Sequence, residues 1–166
     1  MNAPVKPQSA GKTAKDAPIK KTAARLMAVQ AVYQHLHNPQ AAALLVNEYL
    51  SERTAMTVEG DEGAEILALP DGAHFKKIIM GVDKAQDDLA AMIVAHLKKE
   101  GDETAKTVEL LLKSILLCGA YELIYLQDID SPIIINDYVD VAHGFYDGGE
   151  SKLVNAVLDK ISKTVR

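Results

Sequence analysis

ILLCGAYELIYLQDIDSPIIINDYVDVAHGFYDGGESKLVNAVLDKI, residues Ile115 to Ile161, decides the fold. Polar residues recur there at fixed offsets inside three apolar helical patterns, with Glu122, Asn136, Asp137, Asn155 and Asp159 set among Tyr, Leu, Ile and Val. A polar group buried without a partner costs about 1–3 kcal/mol, so each such position carries information about what surrounds it. The first pattern extends back to about Thr104 and forward to Gln127 as a helix that is apolar nearly all round. Glu109 and Lys113, four apart, are expected to pair on its wet face. At 100° per residue Glu122 falls opposite Lys113, on the side that is buried, and needs a partner. Ser131-Pro132 reads as a turn, and Ile133 to Ile135, though β-branched, is too short for a sheet strand. Strand content is therefore expected to be near zero.

Asn136 is expected to cap the next helix, with Asp137 and Asp140 in its first turn and Val139, Ala142 and Phe145 or Tyr146 facing inward. Gly148-Gly149 ends it. Ser151 is expected to cap the last helix, whose apolar stripe is Val154, Val157, Leu158 and Ile161, with Lys152, Asn155 and Asp159 at its margin.

Upstream, Met1 to Pro18 holds three prolines among Ala, Lys, Gly and Ser without apolar periodicity, which predicts a disordered basic tail over 1–19. Leu26, Val29, Tyr33 and Leu36 then recur at helical spacing. Asn38-Pro39 suits the start of a second helix reaching about Met56, with Leu44, Leu45, Tyr49 and Leu50 as its buried stripe. The acidic, Gly-interrupted stretch 57–72 reads as a surface loop in which Ile66 to Leu69 docks locally. From Ala73 to Leu97, Phe75, Val82, Leu89 and His96 repeat every seven residues, which predicts one long helix stopped near Gly101.

The chain has 166 residues, 48% of them hydrophobic, enough for one domain with a real core. A single cysteine, Cys118, forms no internal disulfide, and the absence of an N-terminal apolar signal makes the cytoplasm the expected compartment. The longest apolar stretch, Val108 to Leu126, is broken by Glu109, Lys113 and Glu122 and reads as a core helix, not a membrane span. The net charge of −5 is unevenly spread. Lys6, Lys12, Lys15, Lys20, Lys21 and Arg25 face only Asp16 in the first 25 residues, leaving an acidic body behind a basic arm.

No catalytic constellation is visible. The five histidines are scattered, no HExxH or CxxC spacing occurs, and Gly148-Gly149 lacks the Lys and Ser or Thr of a phosphate loop. No metal, cofactor or enzymatic activity is expected, and Cys118 in the most apolar helix reads as structural. Lys20, Lys21 and Arg25 instead cluster at the N-terminal end of the first helix, where cations oppose the helix dipole by about 0.3–1 kcal/mol each. Such a cluster suits phosphate binding as well as it suits a solvated surface.

Four stretches resemble the NusB family of bacterial transcription antitermination factors: Ala24 to Tyr33, Tyr121-Glu122-Leu123, Pro132 with Ile135-Asn136-Asp137, and Lys152 to Asp159. Together with Phe75 to Val82 they span the chain from about residue 20 to its end. The resemblance implies an all-α bundle of about six or seven helices in two helical subdomains, about 20–100 and 101–166. It also implies a non-catalytic adaptor that binds single-stranded boxA RNA with the ribosomal protein NusE in the elongating complex of RNA polymerase and other Nus factors, supporting ribosomal RNA transcription. The RNA surface it implies is Lys20, Lys21, Arg25, Gly149, Lys152 and Leu153, with Tyr33 and Glu122 toward the protein partner. Leu153 stands where the family commonly has a stacking Phe, Leu117 where many members have Arg, and the arginine cluster is diluted to two lysines and one arginine. These departures leave open a protein-interaction module, binding NusE or forming a homodimer, with weakened RNA affinity.

Overall fold

The computed structural model of the chain describes residues 11–99 and 108–166. Among them lie α1 (Gly11–His37), α2 (Ala42–Ser51), β1 (Met56–Glu59), β2 (Glu65–Ala68), α3 (Gly72–Lys99), α4 (Leu110–Tyr125), α5 (Ser131–Phe145) and α6 (Glu150–Val165). The class is all-α, with α4 as the axis against which α1, α3, α5 and α6 pack. Every residue from Ser114 to Ala120 is fully buried, as its all-round apolar pattern demands. One continuous core draws residues from all six helices, so the two halves of the chain share a single interior. Glycines allow the closest approaches to the axis. A Cβ on Gly119 would lie 2.7 Å from Leu158 Cδ1 and 3.3 Å from Tyr138 Cδ2, and one on Gly81 of α3 would collide with the Tyr121 ring.

The long helix α3 and the stripe of α6 follow the sequence pattern. Phe75, Val82, Leu89 and His96 are all buried, and Val154, Val157, Leu158 and Ile161 are fully so. Asp71 caps α3, its Oδ1 accepting the His74 amide at 3.0 Å. The expected stop at Gly101 and the tail 1–10 lie outside the described residues. Among the described residues no helix is long and apolar enough to cross a membrane.

Several expectations are corrected. α1 begins at Gly11 rather than near Lys20 and runs through Pro18, which forfeits one helical hydrogen bond but does not end the helix. α2 starts after Ala41 and ends at Ser51, leaving Asn38-Pro39 in the connection. Its buried positions are Ala42, Leu45 and Val46, with Tyr49 and Leu50 partly covered, a stripe at i, i+3, i+4, i+7 and i+8. Leu44, about 100° from Leu45, is 63% exposed.

Stretch 57–72 is no plain loop. Met56 to Glu59 and Glu65 to Ala68 form an antiparallel hairpin with Val58 opposite Ile66 and Met56 opposite Ala68. These four face Ile19 and Ala23 of α1, while Thr57, Glu59, Glu65 and Leu67 point outward with the period of two that a half-buried strand shows. At the tip Glu62 and Gly63 both take positive φ, 60° and 76°, and the Gly60 amide donates to the Ala64 carbonyl at 2.7 Å.

α5 starts at Ser131 with Asp130 at its cap and Pro132 in its first turn, so Ile133 to Ile135 are helical and Asn136 is an exposed interior residue instead of a cap. Tyr146 is partly buried, whereas Phe145 is 45% exposed. α6 is capped by Gly149, which places Ser151 inside the helix and buried. Glu109 does not pair with Lys113; its carboxylate accepts the Tyr146 hydroxyl and so ties the start of α4 to the end of α5.

Candidate nucleic-acid interface and the buried network behind it

The eight residues singled out from sequence divide by depth. Arg25 is 1% exposed and Glu122 0%, and neither is presented to solvent. Arg25 forks onto Glu122, with Nε 2.8 Å from Oε2 and Nη2 3.0 Å from Oε1, while its Nη1 donates to Asp137 Oδ2 at 2.7 Å. Glu122 also accepts from His74 Nε2 at 2.7 Å and from the Tyr138 hydroxyl at 2.5 Å. The Thr22 hydroxyl lies 2.9 Å from Asp137 Oδ2 and 3.1 Å from the Pro18 carbonyl. Four helices thus meet at one carboxylate.

Physical chemistry explains why the cluster holds its charges. Burial alone would raise the Glu122 pKa, but the hydrogen bonds from His74 and Arg25, with the Arg25 charge, outweigh it and hold the carboxyl at about 2. Burial likewise works against the Arg25 charge, and the bond to Glu122 with the nearby negative charge reverses that, raising it. Burial and the Glu122 charge push the Tyr138 hydroxyl and the Cys118 thiol well up, keeping both neutral. An ionised Glu122 only accepts, so His74 carries its proton on Nε2 and donates. Arg25, expected to contact phosphate, and Glu122, expected to face the protein partner, thus both direct their polar atoms to neighbours inside the bundle.

The remaining residues are accessible in different degrees. Lys20 and Lys152 are exposed, and Gly149 is the exposed cap of α6. Lys21 is half-buried beside a shallow groove lined also by Ile129 and Ile133. Leu153 is half-buried and packs on the core, and Tyr33, also half-buried, sits edge-on to His37 with ring centroids 4.6 Å apart. Gly149 supplies no side-chain cap to the first turn of α6, which carries Glu150 as well as Lys152.

The structure does not bring the two basic groups together. α1 runs alongside α5 in the same direction: Lys21 shares a groove with Ile133, Arg25 meets Asp137, and Gln30 shares a groove with Gly144. Lys20 and Lys21 thus lie at the start of α5 and the Gly149–Lys152 turn beyond its end, roughly 20 Å away at 1.5 Å per helical residue. Any ligand touching both must be extended. The residues passed over by sequence reasoning are His74 and Tyr138. Arg25 itself had a legible signal, because Ala28, Val29 and Val32 follow it at i+3, i+4 and i+7, and all three are buried.

An apolar axis wrapped by helices, a sealed ionic cluster and two exposed basic ends mark out an all-α bundle. The family model described as the NusB family matches residues 22–163, and the chain belongs to that family. It is 37% identical over 146 residues to transcription antitermination protein NusB of Sphingopyxis alaskensis, covering 88% of this chain and 94% of that one. The protein of the same name from Bartonella henselae is 36% identical over 147 residues, covering 89% of each. Among solved structures T. maritima NusB superposes with a TM-score of 0.66 at 20% identity, over 86% of this chain and 90% of that one, which is a likeness of fold.

Proposed function

We propose that this chain is a non-catalytic transcription antitermination factor that binds boxA-type single-stranded RNA together with a NusE-type ribosomal protein in the elongating complex. The observation that carries the reading is the family match from residue 22 to residue 163, which takes in the Gly149–Lys152 end and begins directly after Lys21. Lys20, Lys21 and Lys152 with the open turn at Gly149 supply the phosphate contacts, and an extended strand of several nucleotides spans the distance between them. Tyr33, farther along α1 toward the Gly149 end, is the aromatic offered to the protein partner.

Binding is read by titrating labelled boxA RNA with and without NusE across a salt series. Three neutralised phosphates of a single strand give a slope of log affinity against log salt near −2, about a 16-fold loss for a fourfold rise in salt. Absence of any tightening by NusE, or an unchanged slope after Lys20→Ala, Lys21→Ala and Lys152→Ala together, would sink the reading. The burial of Arg25 and the seating of Leu153 on the core both favour a second reading, a protein-interaction module with weak RNA affinity. A pull-down in which NusE binds without RNA, and boxA RNA never shifts, selects that one.

A further inference from the structure

An open groove of about 280 Å³ runs between β1, α1 and α5, from Thr22 beside Lys21 to Gly144 and Phe145 at the end of α5. Its floor is apolar, made by Leu26, Val58, Val141 and Phe145, and Phe145 is left 45% exposed there. Its rim carries Glu59, Asp137 and Asp140. Asp137 is engaged by Arg25, whereas neither Glu59 nor Asp140 makes an ion pair among the described residues. Partial burial, then the charges of Glu59 and Asp137, raise the Asp140 pKa from its ordinary value against the opposing influence of His143. The groove is a site of unneutralised negative potential, which repels phosphates and attracts cations.

One wall is a free strand edge. Thr57 lies opposite Leu67 and Glu59 opposite Glu65, and the Gly60 amide bonds to the Ala64 carbonyl. Hydrogen-bonded pairs alternate along an antiparallel ladder, so the main-chain N–H and C=O of Thr57 and Glu59 point away from β2. Both residues line the groove. An edge of this kind is a template for a further strand.

We propose that this groove takes an extended, lysine- or arginine-bearing segment of a partner protein, which adds to β1 as a third strand. Its apolar side chains rest on Leu26, Val141 and Phe145, and its cations meet Glu59 and Asp140. The main chain supplies affinity, and the alternation of apolar and basic side chains supplies selection.

The probe is a short fluorescein-labelled peptide of alternating Lys and Val, titrated into the full chain by anisotropy and followed by amide chemical shifts. Saturable binding with shifts at Thr57, Glu59, Val141 and Phe145 is expected. About a tenfold loss is expected for the same peptide N-methylated along one edge, and for Glu59→Lys with Asp140→Lys. Thr57→Pro removes only the outward N–H and gives a loss independent of charge, provided circular dichroism is unchanged; if the charge reversal unfolds the chain, this variant decides alone. Equal binding of a Glu/Val peptide, no effect of N-methylation, or shifts confined to other faces would each overturn the proposal.

Discussion

Lys21 and Arg25 stand four residues apart on one helix, and both belong to the cationic segment that opens the chain. One lines an open groove, while the other lies in the core with each of its three nitrogens donating to Glu122 or Asp137. The same contrast runs through the acids. Glu59 and Asp140 rim a groove without a counter-ion among the described residues, and Glu122, sealed at 0% exposure, accepts from three side chains. Charge type says little about role here. What separates the two cations is what each side chain meets: Arg25 finds the carboxylates of Glu122 and Asp137, whereas Lys21 makes no ion pair among the described residues.

The contrast is sharpest at Arg25. Arg25→Ala strands a buried carboxylate, and a loss of about 3–5 kcal/mol is expected in urea unfolding. Arg25→Lys should recover only part of it, because an ammonium lacks the bidentate fork. A loss below about 1 kcal/mol, the range of exposed pairs, would erase the distinction between the two regions.

Glu122 gives the next effect and a direction in pH. Its folded pKa of about 2 lies below the ordinary value of 4.5, so its contribution is fully present above about pH 5 and fades as pH falls toward 2. The difference corresponds to about 3 kcal/mol at 1.36 kcal/mol per unit. Unfolding of the parent and of Glu122→Gln across this window should converge at low pH. Curves that stay parallel would show that the carboxylate is not held in its charged form.

On the exposed side, Lys20→Ala, Lys21→Ala and Lys152→Ala together should leave stability within about 0.5 kcal/mol per site. The same triple variant should flatten the salt dependence of RNA binding described above. A triple variant that unfolds easily would move these lysines into the structural region. The smallest effect is expected at Leu44, 63% exposed, where truncation to Ala should change stability by less than about 0.5 kcal/mol. Its neighbour Leu45, 1% exposed, should lose about 2–5 kcal/mol on the same change.

Much of the bundle is legible from periodicity alone, because α3, α4 and α6 bury continuous stripes that tertiary context does not override. The failures have local causes. Asn136 has a good capping side chain, but Asp130 before Ser131-Pro132 offers an earlier start, and a proline in the first turn costs the helix no bond. The hairpin hides in an acidic stretch because each strand is four residues long and its alternation is brief. At the candidate site, Lys20, Gly149 and Lys152 lie at the surface as their polarity suggests. Arg25 and Glu122 were legible as polar residues on apolar faces, yet their partnership was not, since nothing local relates positions separated by 97 residues.

That separation bears on how the chain folds. Arg25, His74, Glu122, Asp137 and Tyr138 come from α1, α3, α4 and α5, and the charged Arg25, Glu122 and Asp137 find all their partners only when all four helices are docked. A form with any one of them detached leaves a desolvated charge or exposes the cluster to water, so partly folded states are penalised at both ends of the route. The ionic knot therefore acts as a cooperativity device: amides of α1, α3, α4 and α5 nearest to it should exchange with solvent only through one shared global opening, not helix by helix.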